Sequence, residues 1–176
     1  MKRKMNLQMF AEAVSGKKIV YLYRVKDNAA TDDGTNIAFV TDNNRSISVD
    51  SESVVTKDGT IHTPGTPEIE IESTSILAKD DAIIGKLETA MLSNKLLQIW
   101  EANLDKPVTG QDDKFEGTYY EGYLTSFEKS SSAENYVECS LTFSINGKGA
   151  AGNVTVTQEQ QDIAEYVFTD TPHTGA

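Results

Sequence analysis

Residues 64–103, PGTPEIEIESTSILAKDDAIIGKLETAMLSNKLLQIWEAN, decide the fold, because they hold three consecutive well-signalled elements. Glu68-Ile69-Glu70-Ile71-Glu72 alternates acid with β-branched apolar residues, which places Ile69 and Ile71 in a core and three carboxylates on the opposite, wet face of a strand. Asp80 and Asp81 then open a run with Ile83, Ile84, Leu87, Met91 and Leu92 at helical spacing, acids standing where the positive end of the helix dipole favours them. The spacing predicts an amphipathic helix over about Asp80 to Leu92, lying on a sheet. Asn94 suits a helix terminus, and Leu96 to Ala102, with Ile99 and Trp100, reads as a mostly buried strand.

Outward from there the pattern is β on both sides. Upstream, KKIVYLYRV over Lys17 to Val25 is apolar on both faces and reads as a strand covered on both sides. Asp27 to Asn36 is turn chemistry, Ile37 to Val40 a short strand and Asp42-Asn43-Asn44 a turn. A long hairpin, Arg45 to Glu72, turns at Lys57-Asp58-Gly59. It is rich in Ser and Thr and thin in apolar residues, so as a free ribbon it would stand poorly and needs a neighbour. Downstream, Leu104 to Lys114 reads as an exposed loop, Phe115 to Phe127 as an aromatic strand bent at Gly117 and Gly122, and Tyr136 to Ile145 as a half-buried strand carrying Val137, Cys139, Leu141 and Phe143 inward. Asn146 to Gly149 reads as a turn, Val154 and Val156 as a short strand, and Gln158 to Phe168 as a polar tail with apolar points at Ile163, Tyr166, Val167 and Phe168. The expected fold is mainly β, α+β in composition: an antiparallel sandwich or barrel-like sheet with one flanking helix and a long hairpin arm. Its expected core includes Ile69, Ile71, Ile84, Leu87, Trp100, Cys139, Leu141 and Phe143.

A chain of 176 residues suits one domain burying roughly 70% of its unfolded surface. We expect that domain over 16–168, with flexible arms at 1–15 and 169–176. The basic start Met1-Lys2-Arg3-Lys4 resembles a signal peptide, but Asn6 and Gln8 interrupt the apolar run such a segment needs. No membrane segment is expected, and with the single cysteine Cys139 there is no internal disulfide to form. A net charge of −11 argues against gripping nucleic acid, which takes Lys and Arg to displace counterions, while leaving non-adhesive contact with DNA open.

Chemistry is sparse. His62 and His173 lack metal-ligand spacing with each other or with Cys139, and the acid pairs Asp32-Asp33, Asp80-Asp81 and Asp112-Asp113 lack the pattern of a calcium loop. No cofactor and no catalytic residues are expected. Glu68, Glu70 and Glu72 lie about 6.5 to 7 Å apart by strand rise, a separation an inverting glycosidase uses, but nothing marks a pocket to raise one of their pKa values.

The run Lys57 to Gly65, followed by Glu68-Ile69-Glu70-Ile71, Thr74 to Asp81 and Lys95 to Glu101, resembles the major tail protein of long-tailed bacteriophages, the tail tube subunit. The resemblance covers about Gly16 to Phe168. It implies a structural virion protein that is not an enzyme, made in the bacterial host cytoplasm and assembling with itself as hexameric rings stacked into a hollow tube for DNA ejection. Its further implied partners are the tape measure, terminator and distal tail proteins. Six copies at −11 would carry about −66 per ring, and an inward acidic face would repel phosphates across about 8 to 10 Å. Glu68, Glu70 and Glu72 are the candidates for that lumen face. Candidates for ring-to-ring contact are Arg45, Ser46, Lys57 and Asp58 in the hairpin, and Asp105, Lys106, Asp112 and Asp113 in the loop. The rival reading is a β-sandwich carbohydrate- or cell-surface-binding module, with Tyr119, Tyr120 and Tyr123 stacking on sugars.

Overall fold

A computed structural model describes residues 13–79 and 81–165. Its strands are β1 (Ile19–Val25), β2 (Val40–Thr56), β3 (Gly59–Ile76), β4 (Leu97–Val108), β5 (Gln111–Ser130) and β6 (Glu138–Thr155), with helices α1 (Ala82–Leu92) and α2 (Gln158–Glu165). The strands form one antiparallel sheet in the order β1-β4-β5-β6-β3-β2. Of the expected terminal arms, 1–12 and 169–176 lie outside the described residues, as do Asp80, Tyr166, Val167 and Phe168.

Two apolar clusters form because alternate residues of the same strands face opposite ways. Tyr21, Tyr23 and Val25 of β1 join Ile69 and Ile71 of β3, Leu97 and Ile99 of β4, Tyr120 and Leu124 of β5, and Cys139, Leu141 and Phe143 of β6. Ile83, Ile84, Leu87 and Ala90 of α1 cover this cluster. Val20, Leu22, Ala102, Leu104, Phe115, Val154 and Val156 form the second cluster on the other face. β1 is therefore covered on both sides. Trp100 is only partly buried, packed against the second cluster, with the Arg24 guanidinium 4.9 Å from its ring centroid.

The helix starts where its cap can act. Asp81 Oδ1 accepts from the Ile83 amide at 3.2 Å, and its Oδ2 accepts from the Ala38 amide at 3.0 Å, tying α1 to the segment before β2. Asn94 ends it at φ 50°, with the Lys95 amide reaching the Ala90 carbonyl at 2.8 Å.

Several expected turns are strand interior. Asp42, Asn43 and Asn44 pair with Thr74, Ser73 and Glu72, so β2 runs unbroken, and Ile37–Ala38 precede it outside any strand. The expected loop 104–114 is the tip of the β4–β5 hairpin, turning only at Thr109-Gly110, where Gly110 has φ 80°. His62 lies in β3 opposite Ser53 rather than in a turn. Asn146 to Gly149 is a bulge within β6, because β5 continues as its partner on both sides: Glu121 pairs with Asn146 and Tyr119 with Ala150. Part of the expected polar tail is helical, as α2, and Gln160 Nε2 donates to the Gly34 carbonyl at 3.0 Å. In each case a partner strand or helix contact distant in sequence overrides local turn propensity.

Gly117 and Gly122 are required by close approach. A Cβ on Gly122 would overlap the Ser144 carbonyl oxygen, and one on Gly117 the Glu101 carbonyl oxygen.

Candidate assembly surfaces

The β3 acids follow directly from alternation. Ile69, Ile71, Ser73 and Ser75 are buried, while Glu68, Glu70 and Glu72 between them are exposed. Glu70 stands between Ser46 on β2 and Ser144 on β6, Glu72 between Asn44 and Thr142, and Glu68 opposite Ser48. Asn44 Nδ2 donates to Glu72 Oε2 at 3.0 Å. The neighbours across the sheet are thus hydroxyls and an amide. No like charge sits directly opposite another, which lowers the cost of the acid row. No Lys or Arg occupies these cross-strand positions to hold a phosphate.

The β2–β3 hairpin leaves the body at this point. β3 pairs with β6 only from Ile69 onward, so residues 48–68 form a two-stranded ribbon whose strands pair only with each other, about 30 Å long by strand rise. Val49, Val54, Val55 and Ile61 are exposed on it, as is Ile47 at its root, and Val54 faces Ile61 across the ladder. Lys57 and Asp58 form the turn at its tip, where Gly59 has φ 144°. Ser46 lies at its root beside Glu70.

By register, the β4–β5 tip lies at the same end of the sheet as the ribbon tip. Asp105, Lys106, Asp112 and Asp113 are exposed there; Lys106 pairs with Glu116 at 3.2 Å, and the Asp113 carbonyl accepts from the Val156 amide at 2.8 Å. The turn at Gly16–Lys18 lies at that end too, since Ile19 pairs with Asn103. Six of the eight contact candidates therefore share one end of the sheet, and Ser46 stands at the root of the ribbon that leads to it.

Arg45 is placed differently. Its guanidinium turns inward to the chain's own Glu101, Nε to Oε2 at 3.0 Å, and its Nη1 donates to the Tyr120 hydroxyl at 3.2 Å. Glu101 Oε2 also accepts from the Tyr21 hydroxyl at 2.9 Å. Burial, and then the Glu101 charge, hold that phenol protonated well above its ordinary range. The alternating pattern of β4 could not announce this cluster, because its members come from four strands.

Among the described residues, no group of three or more His, Cys, Asp and Glu is arranged to hold a metal ion, and no helix is long and apolar enough to cross a membrane. Cys139 is buried, and burial raises its thiol pKa. Of the three tyrosines, Tyr120 is buried, Tyr119 leans on Trp100 with its hydroxyl donating to Glu121 at 2.5 Å, and Tyr123 is exposed. An open groove of about 550 Å³ between α1 and residues 25–28 has Val25, Ala82, Gly85 and Ala90 among its lining, flanked by the Lys86–Asp32 and Lys95–Asp27 pairs, each at 2.6 Å.

A curled antiparallel sheet with one covering helix and a long two-stranded ribbon makes this a mainly β protein of α+β composition. The fold is similar to the SPP1 tail tube protein, at TM-score 0.67 and 18% identity, covering 93% of this chain and 95% of that one. It is also similar to a chain from the C6-symmetric tail of an empty gene transfer agent particle, at TM-score 0.61 and 12% identity over 78% of this chain and 98% of that one. A sequence described as a tail protein of Staphylococcus phage phiMR25 is 26% identical over 143 residues, 79% of this chain and 74% of that one. The phage tail tube protein family matches residues 13–150, and this chain belongs to that family. It is a structural protein of the phage tail.

Proposed function

We propose that copies of this chain assemble as hexameric rings stacked into the hollow tube through which phage DNA is ejected. The observation that carries this is the ribbon 48–68: among the described residues its strands pair only with each other, and it exposes Val49, Val54, Val55 and Ile61, a surface suited to another chain. The solved chain from a tail of C6 symmetry supports the six-fold arrangement. The outer edge of β2 lacks a second strand partner among the described residues, which gives neighbouring copies a place to pair laterally.

In this reading Glu68, Glu70 and Glu72 line the passage, where acids and hydroxyls without cations keep phosphates from sticking. Lys57, Asp58, Asp105, Lys106, Asp112 and Asp113 meet the next ring, and Ser46 marks where the ribbon leaves the wall. The chain forms part of the virion tail after synthesis in the host cytoplasm, and the tube ends meet terminator and distal tail proteins around a tape measure. Negative-stain microscopy of the concentrated pure protein tests the reading. Tubes or stacked rings about one subunit thick are expected; monomers at every concentration and salt would refute it.

A further inference from the structure

We infer that Arg45 is a positioning residue: clamped between Glu101 and Tyr120, it sets the angle at which the ribbon leaves the body and so prepares the chain for assembly. This rests on the tube-forming reading above. β2 and β4 are separated in the sheet by β3, β6 and β5, a span of about 19 Å if the sheet were flat. The Arg45 and Glu101 side chains reach across that span to meet at 3.0 Å, which the curl of the sheet allows by turning its two halves toward each other.

The clamp joins four strands. Arg45 of β2 donates to Glu101 of β4 and Tyr120 of β5, while Tyr21 of β1 donates to the same Glu101 oxygen. Glu101's side chain is 19% exposed and Arg45's 38%, so the pair is partly shielded from water and salt. Two donors on a rigid planar fork reach two acceptors on different strands, which a lysine ammonium cannot reproduce with the same geometry. Arg45 pairs with Ile71, two residues before the point where β3 loses β6 as a partner. Among the described residues, no other side chain of β2 bonds to the β1–β4–β5 half of the sheet.

The test uses the full chain. Arg45→Met alone strands a mostly shielded carboxylate and could unfold the protein, so the decisive variant is Arg45→Met with Glu101→Leu, beside Arg45→Lys. Hydrogen exchange of the monomer is expected to quicken about tenfold at ribbon amides 48–56 and 59–68 in the double variant, equivalent to about 1.4 kcal/mol, with α1 amides unchanged. Tube growth, followed by light scattering, is expected to slow in both variants. Unchanged ribbon exchange together with wild-type growth would overturn the clamp. If the wild-type protein forms no tubes, the assembly reading fails, and ribbon exchange alone still decides whether Arg45 holds the arm.

Discussion

Tyr23 and Phe143 stack with ring centroids 5.1 Å apart and planes 22° from parallel, although β1 and β6 are three places apart in the sheet. A flat sheet would hold these strands about 14 Å apart. Their contact shows how far the sheet curls, and hence why one continuous sheet behaves as a sandwich with a core between its halves. Phe143→Ala should therefore cost about 4 kcal/mol, and Phe143→Leu well under half of that, measured by urea unfolding. Equal losses for the two would mean that packing volume at this contact does not hold the curl.

Gly122 permits the same curl from the backbone. Gly122→Ala should destabilise by about 2 to 4 kcal/mol, because its methyl would meet the Ser144 carbonyl, a backbone atom that cannot swing away. A melting temperature within error of wild type would show that the strands can separate freely there.

Ile71 and Ile47 lie on the same face of adjacent strands but should behave oppositely. Ile71 is fully buried, so Ile71→Ala should cost about 3 kcal/mol of monomer stability. Ile47 is 58% exposed, so Ile47→Ser should change monomer stability by about 0.5 kcal/mol or less while reducing tube yield in sedimentation assays.

The row of acids makes a separable prediction. Glu68, Glu70 and Glu72 all replaced by Lys should leave a folded chain, since all three are exposed beside neutral partners. Phage carrying such tubes should adsorb normally and deliver DNA poorly. Undiminished ejection would exclude this face from the passage.

Acid should weaken the surface pairs in a defined direction. The hydrogen bond from Lys26, then that from Tyr119, lower the Glu121 pKa, and Lys86 does the same for Asp32. A carboxylate whose folded pKa is depressed contributes stability above its unfolded value, about 4, and loses it as pH falls through the lower folded value. Melting temperature should thus hold level through neutral pH and decline below about pH 4, with Glu121→Gln flattening part of that decline.

Most elements were legible because their signals are local. Period-two alternation over Glu68 to Glu72 and over Val137 to Ile145, helical spacing from Ile83 to Leu92 and the Asp58-Gly59 turn each lie within a dozen residues. Asp42 to Asn44, Leu104 to Lys114 and Asn146 to Gly149 carry equally sound local turn or loop chemistry, and there the structure differs. Whether a Gly- or Asn-rich run reverses the chain or bulges within a strand depends on whether a partner strand continues alongside, and that partner is distant in sequence.

The same division holds for the candidate surfaces. Acid exposure along β3 follows from chain order alone, because side chains on a strand must alternate. The gathering of both hairpin tips at one end follows from the long-range strand register, and the inward turn of Arg45 to Glu101 from the curl of the sheet. That curl arises when residues separated by dozens of positions bury their apolar faces together, and no local pattern encodes the distance between them.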